Sequence, residues 1–269
     1  MRRVNTIGAC VCAAGLLAAT EASAKWSPAV RLDGPQAAVD ECETTRFVPG
    51  PQGPVDPEAL PSVRALLDLL ASLRTRDRGR LLSGQFMGWY PTVSLAPAND
   101  IHLLTSNWVA VAGFDYYETF VNAPATEPAL FKPPRWRLVN ELAKEHHRMG
   151  GIVTISCHMT NPWTGALAWS KAARFEDLLD PGSAAFARYQ EQLDEIARGL
   201  ADLQDAGVPV LFRPFHEMTG AFWWGGRNPA TFRKVWRELF NTFTKKKGLH
   251  NLIWVWSSLV SDRAMDYYP

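Results

Sequence analysis

Five short apolar runs, each closing on polar or aromatic residues, alternate along this chain with segments of helical periodicity. The runs are Leu81–Phe86, Trp108–Asp115, Gly151–His158, Val208–Glu217 and Leu252–Ser257. Pro134–Met149, Ser183–Ala206 and Pro229–Lys247 lie between them as predicted helices. Glu58–Arg76 precedes the first run, with Val63, Leu66, Leu67, Leu70 and Leu73 at helical spacing. Repeated strand, helix, strand predicts parallel βαβ units. Every strand ends in side chains that could bind or react, which points to an α/β fold of the (β/α)8 TIM-barrel type. A doubly wound sheet is disfavoured, because no G-x-G-x-x-G or Walker loop follows any strand. The sequence supplies the first five strands of an eight-stranded barrel, so residues 58–269 read as a barrel domain truncated at its C-terminus. The helix before the first strand is expected to cover the bottom of that barrel.

The fourth run carries the densest chemistry. Val208–Phe212 reads as a buried strand, followed at once by Arg213, Pro214, His216 and Glu217. A glycine-containing loop then presents Phe222, Trp223 and Trp224. Aromatic faces suit the apolar faces of sugar rings, and a Glu among them suits proton transfer to a glycosidic oxygen. A surface turn backed by core tryptophans is the competing reading. Four ionisable or aromatic groups closing one strand favour a site instead.

Other ionisable residues carry less. Asp115 ends the second run and is assigned to hydrogen bonding or substrate contact; Asp262 and Asp266 are assigned to loops near the cleft. His146 and His147 are neighbours at a helix end, where adjacent residues do not share a face. His102 and His250 read as loop or cap residues. No metal-ligand spacing and no Gly-x-Ser-x-Gly elbow occurs, so neither a metal, a cofactor nor esterase chemistry is expected.

The formal net charge of +1 over 269 residues argues against nucleic acid or an anionic membrane surface as the main partner. The 11 Trp fit a carbohydrate cleft. Residues 1–24 read as a secretory signal peptide: Arg2 and Arg3, an apolar Ile7–Ala19, then Ala22-Ser23-Ala24 as cleavage site. That run is too short to span a bilayer, and no later stretch approaches the roughly 20 apolar residues a membrane helix needs. A secreted or periplasmic protein with an extended N-terminal arm at 25–57 is the expectation. Of the 4 Cys, Cys10 and Cys12 fall in the signal. Cys42 and Cys157 do not make a disulfide framework; Cys157 reads as a buried thiol, with a bridge to Cys42 left open.

Several motifs together resemble glycoside hydrolase family 26, the bacterial endo-β-1,4-mannanases. They are Ser83-Gly84-Gln85, Ile155-Ser156-Cys157-His158 with Asn161-Pro162-Trp163, and Phe212–Met218 with Phe222-Trp223-Trp224-Gly225. Asn251–Ser257 and Asp266-Tyr267-Tyr268-Pro269 complete the set. The resemblance implies a (β/α)8 barrel and retaining hydrolysis by two Glu, on the fourth and seventh strands. Glu217 is then the acid/base, and the nucleophile Glu is expected beyond Pro269. His158, Asn161, Trp163, Arg213, His216, Trp223, Trp224 and Tyr267 would bind substrate. Cys157 departs from the family, which more often has Trp before this His. The implied substrate is mannan, glucomannan or galactomannan, handled by a monomer. A related β-glucanase or β-1,3-xylanase, or a non-catalytic carbohydrate-binding remnant of the barrel, are the alternatives.

Overall fold

The computed structural model describes residues 53–73, 81–116, 136–171, 174–259, 261 and 263–269. Five parallel strands form one sheet in chain order: β1 (Gly84–Phe86), β2 (Val111–Asp115), β3 (Ile152–Ser156), β4 (Val210–Arg213) and β5 (Leu252–Trp254). The helices are α1 (Pro61–Ser72), α2 (Ala96–Thr105), α3 (Trp136–Arg148), α4 (Ala184–Asp205) and α5 (Pro229–Asn241). Each parallel neighbour is reached by a crossover, and crossovers of one hand in sequential order place all helices on one face. That is barrel architecture, not the two-faced order of a doubly wound sheet.

Strand alternation sorts the sheet into two faces. Ala112, Phe114, Val153, Ile155, Val210 and Phe212 are buried against the helices. The aligned row Gly113, Thr154, Leu211 and Ile253 turns to the other face and is only partly covered. One step further towards the C-terminal ends, the register aligns Asp115 with Ser156 and Ser156 with Arg213. A polar layer therefore crowns the inner face.

Local signals explain the helices. Ser183 caps α4, its hydroxyl accepting from the Phe186 N–H at 3.1 Å. Asn228 Oδ1 accepts from the Ala230 and Thr231 N–H groups, and Pro229 supplies a first-turn residue that needs no partner. Gly207, at φ 73°, turns the chain out of α4 into β4. Leu60 donates its N–H to the carbonyl oxygen of His250 at 2.9 Å, so α1 starts beside the N-terminal end of β5, the bottom of the barrel wall.

The structure adjusts the sequence reading at three points. The strands are shorter than the apolar runs, because polar ends such as Phe215–Glu217 turn away from the ladder. The helix expected over Pro229–Lys247 is α-helical to Asn241 and then widens into a π-helical turn over Thr242–Lys246. There the Thr244 hydroxyl donates back to the Phe240 carbonyl at 2.7 Å, competing with the ladder. Helix α2 had no clear periodic signal, since Leu103 and Leu104 both face solvent. Cys157 is a buried thiol, as expected, whereas Cys42, the signal, Asp262 and the arm up to residue 52 lie outside the described residues. No described helix is long and apolar enough to cross a membrane.

Candidate active site

The residues closing β4 set the geometry. After Arg213 and Pro214, Phe215 and Glu217 adopt left-handed backbone conformations, at φ 47° and 54°. Non-glycine residues pay conformational energy in this region, on the order of 1–2 kcal/mol each. The surroundings hold them there. Phe215 is fully buried among Tyr189, Trp223, Trp224, Phe232 and Trp236. Glu217 donates its N–H to the Ser257 carbonyl at 2.7 Å, and its own carbonyl accepts from the Gly220 N–H at 2.7 Å. The half-buried Glu217 side chain is thus delivered from a backbone fixed on both sides.

His216, between those two residues, points to the end of β3. Its Nε2 lies 3.2 Å from Nε2 of His158. His158 Nδ1 lies 2.9 Å from Asp115 Oδ2, and the His158 main-chain N–H donates to Asp115 Oδ1 at 3.2 Å. The Ser156 hydroxyl donates to the same Oδ2. Burial and then the neighbouring His158 lower the His216 pKa to about 4, against the opposing pull of Asp115. His216 is therefore neutral at neutral pH. Arg213 lies on the same layer, half-buried.

Aromatic rings surround His158. Trp89 meets it edge-on at 4.9 Å, Phe222 edge-on at 5.1 Å, and Trp169 stacks at 5.4 Å. Trp89 is 41% and Trp169 51% exposed, so both leave part of an indole ring at the surface around a buried imidazole. A carboxyl group, a polar crown and partly exposed indole rings together can protonate a leaving oxygen and bind a sugar ring beside it.

A comparison of the whole chain decides what this constellation belongs to. The model of glycosyl hydrolase family 26 matches residues 55–269. The chain belongs to that family. A mannan endo-1,4-beta-mannosidase of Bacillus subtilis (strain 168) is 31% identical, covering 80% of this chain and 62% of the relative. The mannan endo-1,4-beta-mannosidase A and B of Caldalkalibacillus mannanilyticus is 29% identical, over 80% of this chain and 43% of that protein. The chain spans 62% or less of the length of these curated relatives. Among solved structures, a Bacillus subtilis mannanase is similar with a TM-score of 0.70 at 30% identity, covering 81% of this chain and 68% of that one. A beta-mannanase from a symbiotic protist of the termite Reticulitermes speratus, complexed with a gluco-manno-oligosaccharide, is similar at 0.68 and 27%. The five-stranded sheet is accordingly the first part of the family 26 (β/α)8 barrel.

Within this family 26 barrel, the residues expected to bind substrate separate into two groups. His158 and His216 touch at the C-terminal ends of β3 and β4, and Arg213 and Glu217 are carried by the same end of β4. Four others, Trp223, Trp224, Asn161 and Tyr267, are placed differently. Trp223 and Trp224 are fully buried, their indole N–H groups donating to the carbonyls of Met159 at 2.9 Å and His216 at 2.7 Å. Neither has an open face for a sugar; they brace the β3 and β4 loops from behind. Asn161 is fully buried as well. Its Oδ1 accepts from the Trp163 and Thr164 N–H groups, and its Nδ2 donates to Ser170 Oγ and the Lys171 carbonyl. That set uses the amide completely to shape the β3 loop. The Tyr267 hydroxyl donates to the Arg227 carbonyl at 2.7 Å, and its ring packs edge-on against Phe232. Trp163 is half-buried, its N–H on Asp177 Oδ2 at 3.0 Å and its ring against Trp223.

Trp89 and Trp169 are the site aromatics absent from the residues the sequence singled out; Trp169 lies in the loop after the third strand. Trp89 follows the short first strand by three positions, and an aromatic residue just past a barrel strand was the available signal. Among the described residues no cluster of three or more His, Cys, Asp or Glu could hold a metal ion.

Proposed function

We propose that the full-length protein is a retaining endo-β-1,4-mannanase, with Glu217 as acid/base. Glu217 protonates the leaving glycosidic oxygen and then deprotonates the incoming water. The attacking carboxylate is a Glu on the seventh barrel strand, beyond Pro269, at the roughly 5–5.5 Å separation that retention requires. His158, His216 and Arg213 line the reacting sugar, while Trp89 and Trp169 stack on sugar faces. Residues 1–24 direct export, 25–57 form an arm before the barrel domain, and the enzyme acts as a monomer on mannan, glucomannan or galactomannan.

One observation carries this reading: in a family 26 chain, Glu217 closes β4 next to the Asp115–His158–His216 cluster, with the partly exposed Trp89 and Trp169 around His158. The naming of the similar relatives as mannan endo-1,4-beta-mannosidases supports the substrate.

The test is hydrolysis of soluble mannan by the purified full-length protein, followed by viscosity and by new reducing ends. Internal cleavage predicts that viscosity collapses while few reducing ends have formed. Cleavage of β-glucan or β-1,3-xylan with mannan left intact would move the substrate assignment, and binding of mannan without turnover would leave only a carbohydrate-binding role.

A further inference from the structure

Asn161 lies in the loop after β3, fully buried, and each of its polar atoms is engaged within residues 161–171. We propose that Asn161 is a positioning residue that holds Trp169 beside His158, and so sets how well a sugar ring is bound there, without touching the sugar itself. The inference deepens the mannanase reading and rests on it only for the effect on mannan binding. Where Trp169 lies is a matter of the loop's own bonds.

One amide ties the two ends of the loop together. Asn161 Oδ1 accepts from the main-chain N–H groups of Trp163 at 2.9 Å and Thr164 at 3.2 Å. Its Nδ2 donates to Ser170 Oγ at 2.8 Å and to the Lys171 carbonyl at 2.9 Å. Main-chain N–H groups only donate and a main-chain carbonyl only accepts, so these partners fix which end of the amide is which. The Ser170 hydroxyl passes its own hydrogen to the Leu167 carbonyl at 2.8 Å, and the Ser170 N–H donates to the same carbonyl at 3.1 Å. Trp169 therefore sits in a tight turn, Leu167–Ser170, whose C-terminal side is fastened to the buried Asn161. The Ala168 carbonyl fastens the other side, accepting from the Trp223 N–H at 2.8 Å. Between these two anchors the indole is 51% exposed, yet it lies over the buried His158 ring, 5.4 Å between centroids and 21° between planes. A ring this exposed takes much of its order from the backbone that carries it.

Asn161→Asp is the direct test. It keeps an acceptor facing Trp163 and Thr164 and loses the donors facing Ser170 and Lys171. Trp169 is followed by fluorine-19 NMR of the full-length protein carrying 5-fluorotryptophan, each line assigned by its loss in a single Trp→Phe variant. In Asn161→Asp the Trp169 line should shift or broaden while that of Trp236, on α5, stays. KM for mannan should rise about three- to fivefold with kcat within about twofold. Adding Trp169→Ala should raise KM no further than Trp169→Ala does alone, since both changes remove one contact. An unmoved Trp169 line in the folded variant, KM increases that multiply in the double variant, or a fall in kcat with KM unchanged would each overturn the proposal. Ser170→Ala removes the middle of the tie without burying a charge, and should move the same line in the same direction. Should Asn161→Asp fail to fold, an unmoved line in Ser170→Ala overturns the proposal by itself. An unchanged KM in Trp169→Ala would refute the sugar contact of Trp169 and leave the fluorine lines to judge Asn161, so the two ideas fail separately.

Discussion

The main-chain N–H of Glu217 donates to the Ser257 carbonyl oxygen at 2.7 Å, joining the turn after β4 to the segment after β5. The bond exists because Glu217 sits at φ 54°, a conformation its side chain does not favour. Strain and the proposed acid/base thus fall on one residue, as is common where a side chain must be aimed.

Replacement of Glu217 should expose that strain. Glu217→Gly relieves the left-handed penalty at the cost of extra unfolded-chain entropy, whereas Glu217→Ala retains the penalty. The Gly variant should be more stable than the Ala variant by roughly 0.5–1 kcal/mol in chemical denaturation. An Ala variant of equal or greater stability would show that the backbone is not strained there.

The tryptophans should divide by burial. Trp223→Ala empties a fully buried site and orphans the Met159 carbonyl, so stability should drop by about 3–5 kcal/mol. Trp169→Ala removes an exposed ring and should leave stability within about 0.5 kcal/mol while raising KM for mannan roughly fivefold. Equal stability losses in the two variants would contradict the division. So would an unchanged KM in Trp169→Ala.

His216 makes stability depend on pH. Its folded pKa, about 4, lies below the ordinary 6.5. The unfolded chain therefore binds a proton that the folded protein refuses between these values. Stability is full above pH 6.5 and falls as pH drops towards 4, by on the order of 3 kcal/mol from this group. The measurement is unfolding free energy of wild type and His216→Gln across that window, the variant serving as the reference for every other group. The wild-type curve should fall more steeply; parallel curves would show that His216 is not held neutral.

Much of this was legible in the sequence. Short apolar runs and period-3.6 patterns separate β2 to β5 from α3, α4 and α5, because the strands are sheet core and each helix buries one face. Helix α2 escaped because its Leu103 and Leu104 face solvent, leaving no apolar stripe to read. Glu217, His216 and His158 were legible because they close strands, where a barrel puts its chemistry. Trp223 and Trp224 were chosen for the same reason, residue type and position suiting a sugar platform; the chain reaches them through the left-handed residues Phe215 and Glu217, and both rings are buried. Backbone reversals of this kind leave no periodic trace. Asn161 was likewise chosen for its type, while its amide is consumed by four bonds within its own loop.

The central claim is that Glu217 transfers the proton. It is tested most directly by Glu217→Gln in the full-length protein, assayed on mannan and on a β-mannoside whose aryl leaving group needs no protonation. The account predicts a fall in kcat/KM on mannan of about 10²–10⁴-fold, with the activated substrate far less affected. Equal losses on both substrates, or a loss on mannan below about tenfold, would contradict it.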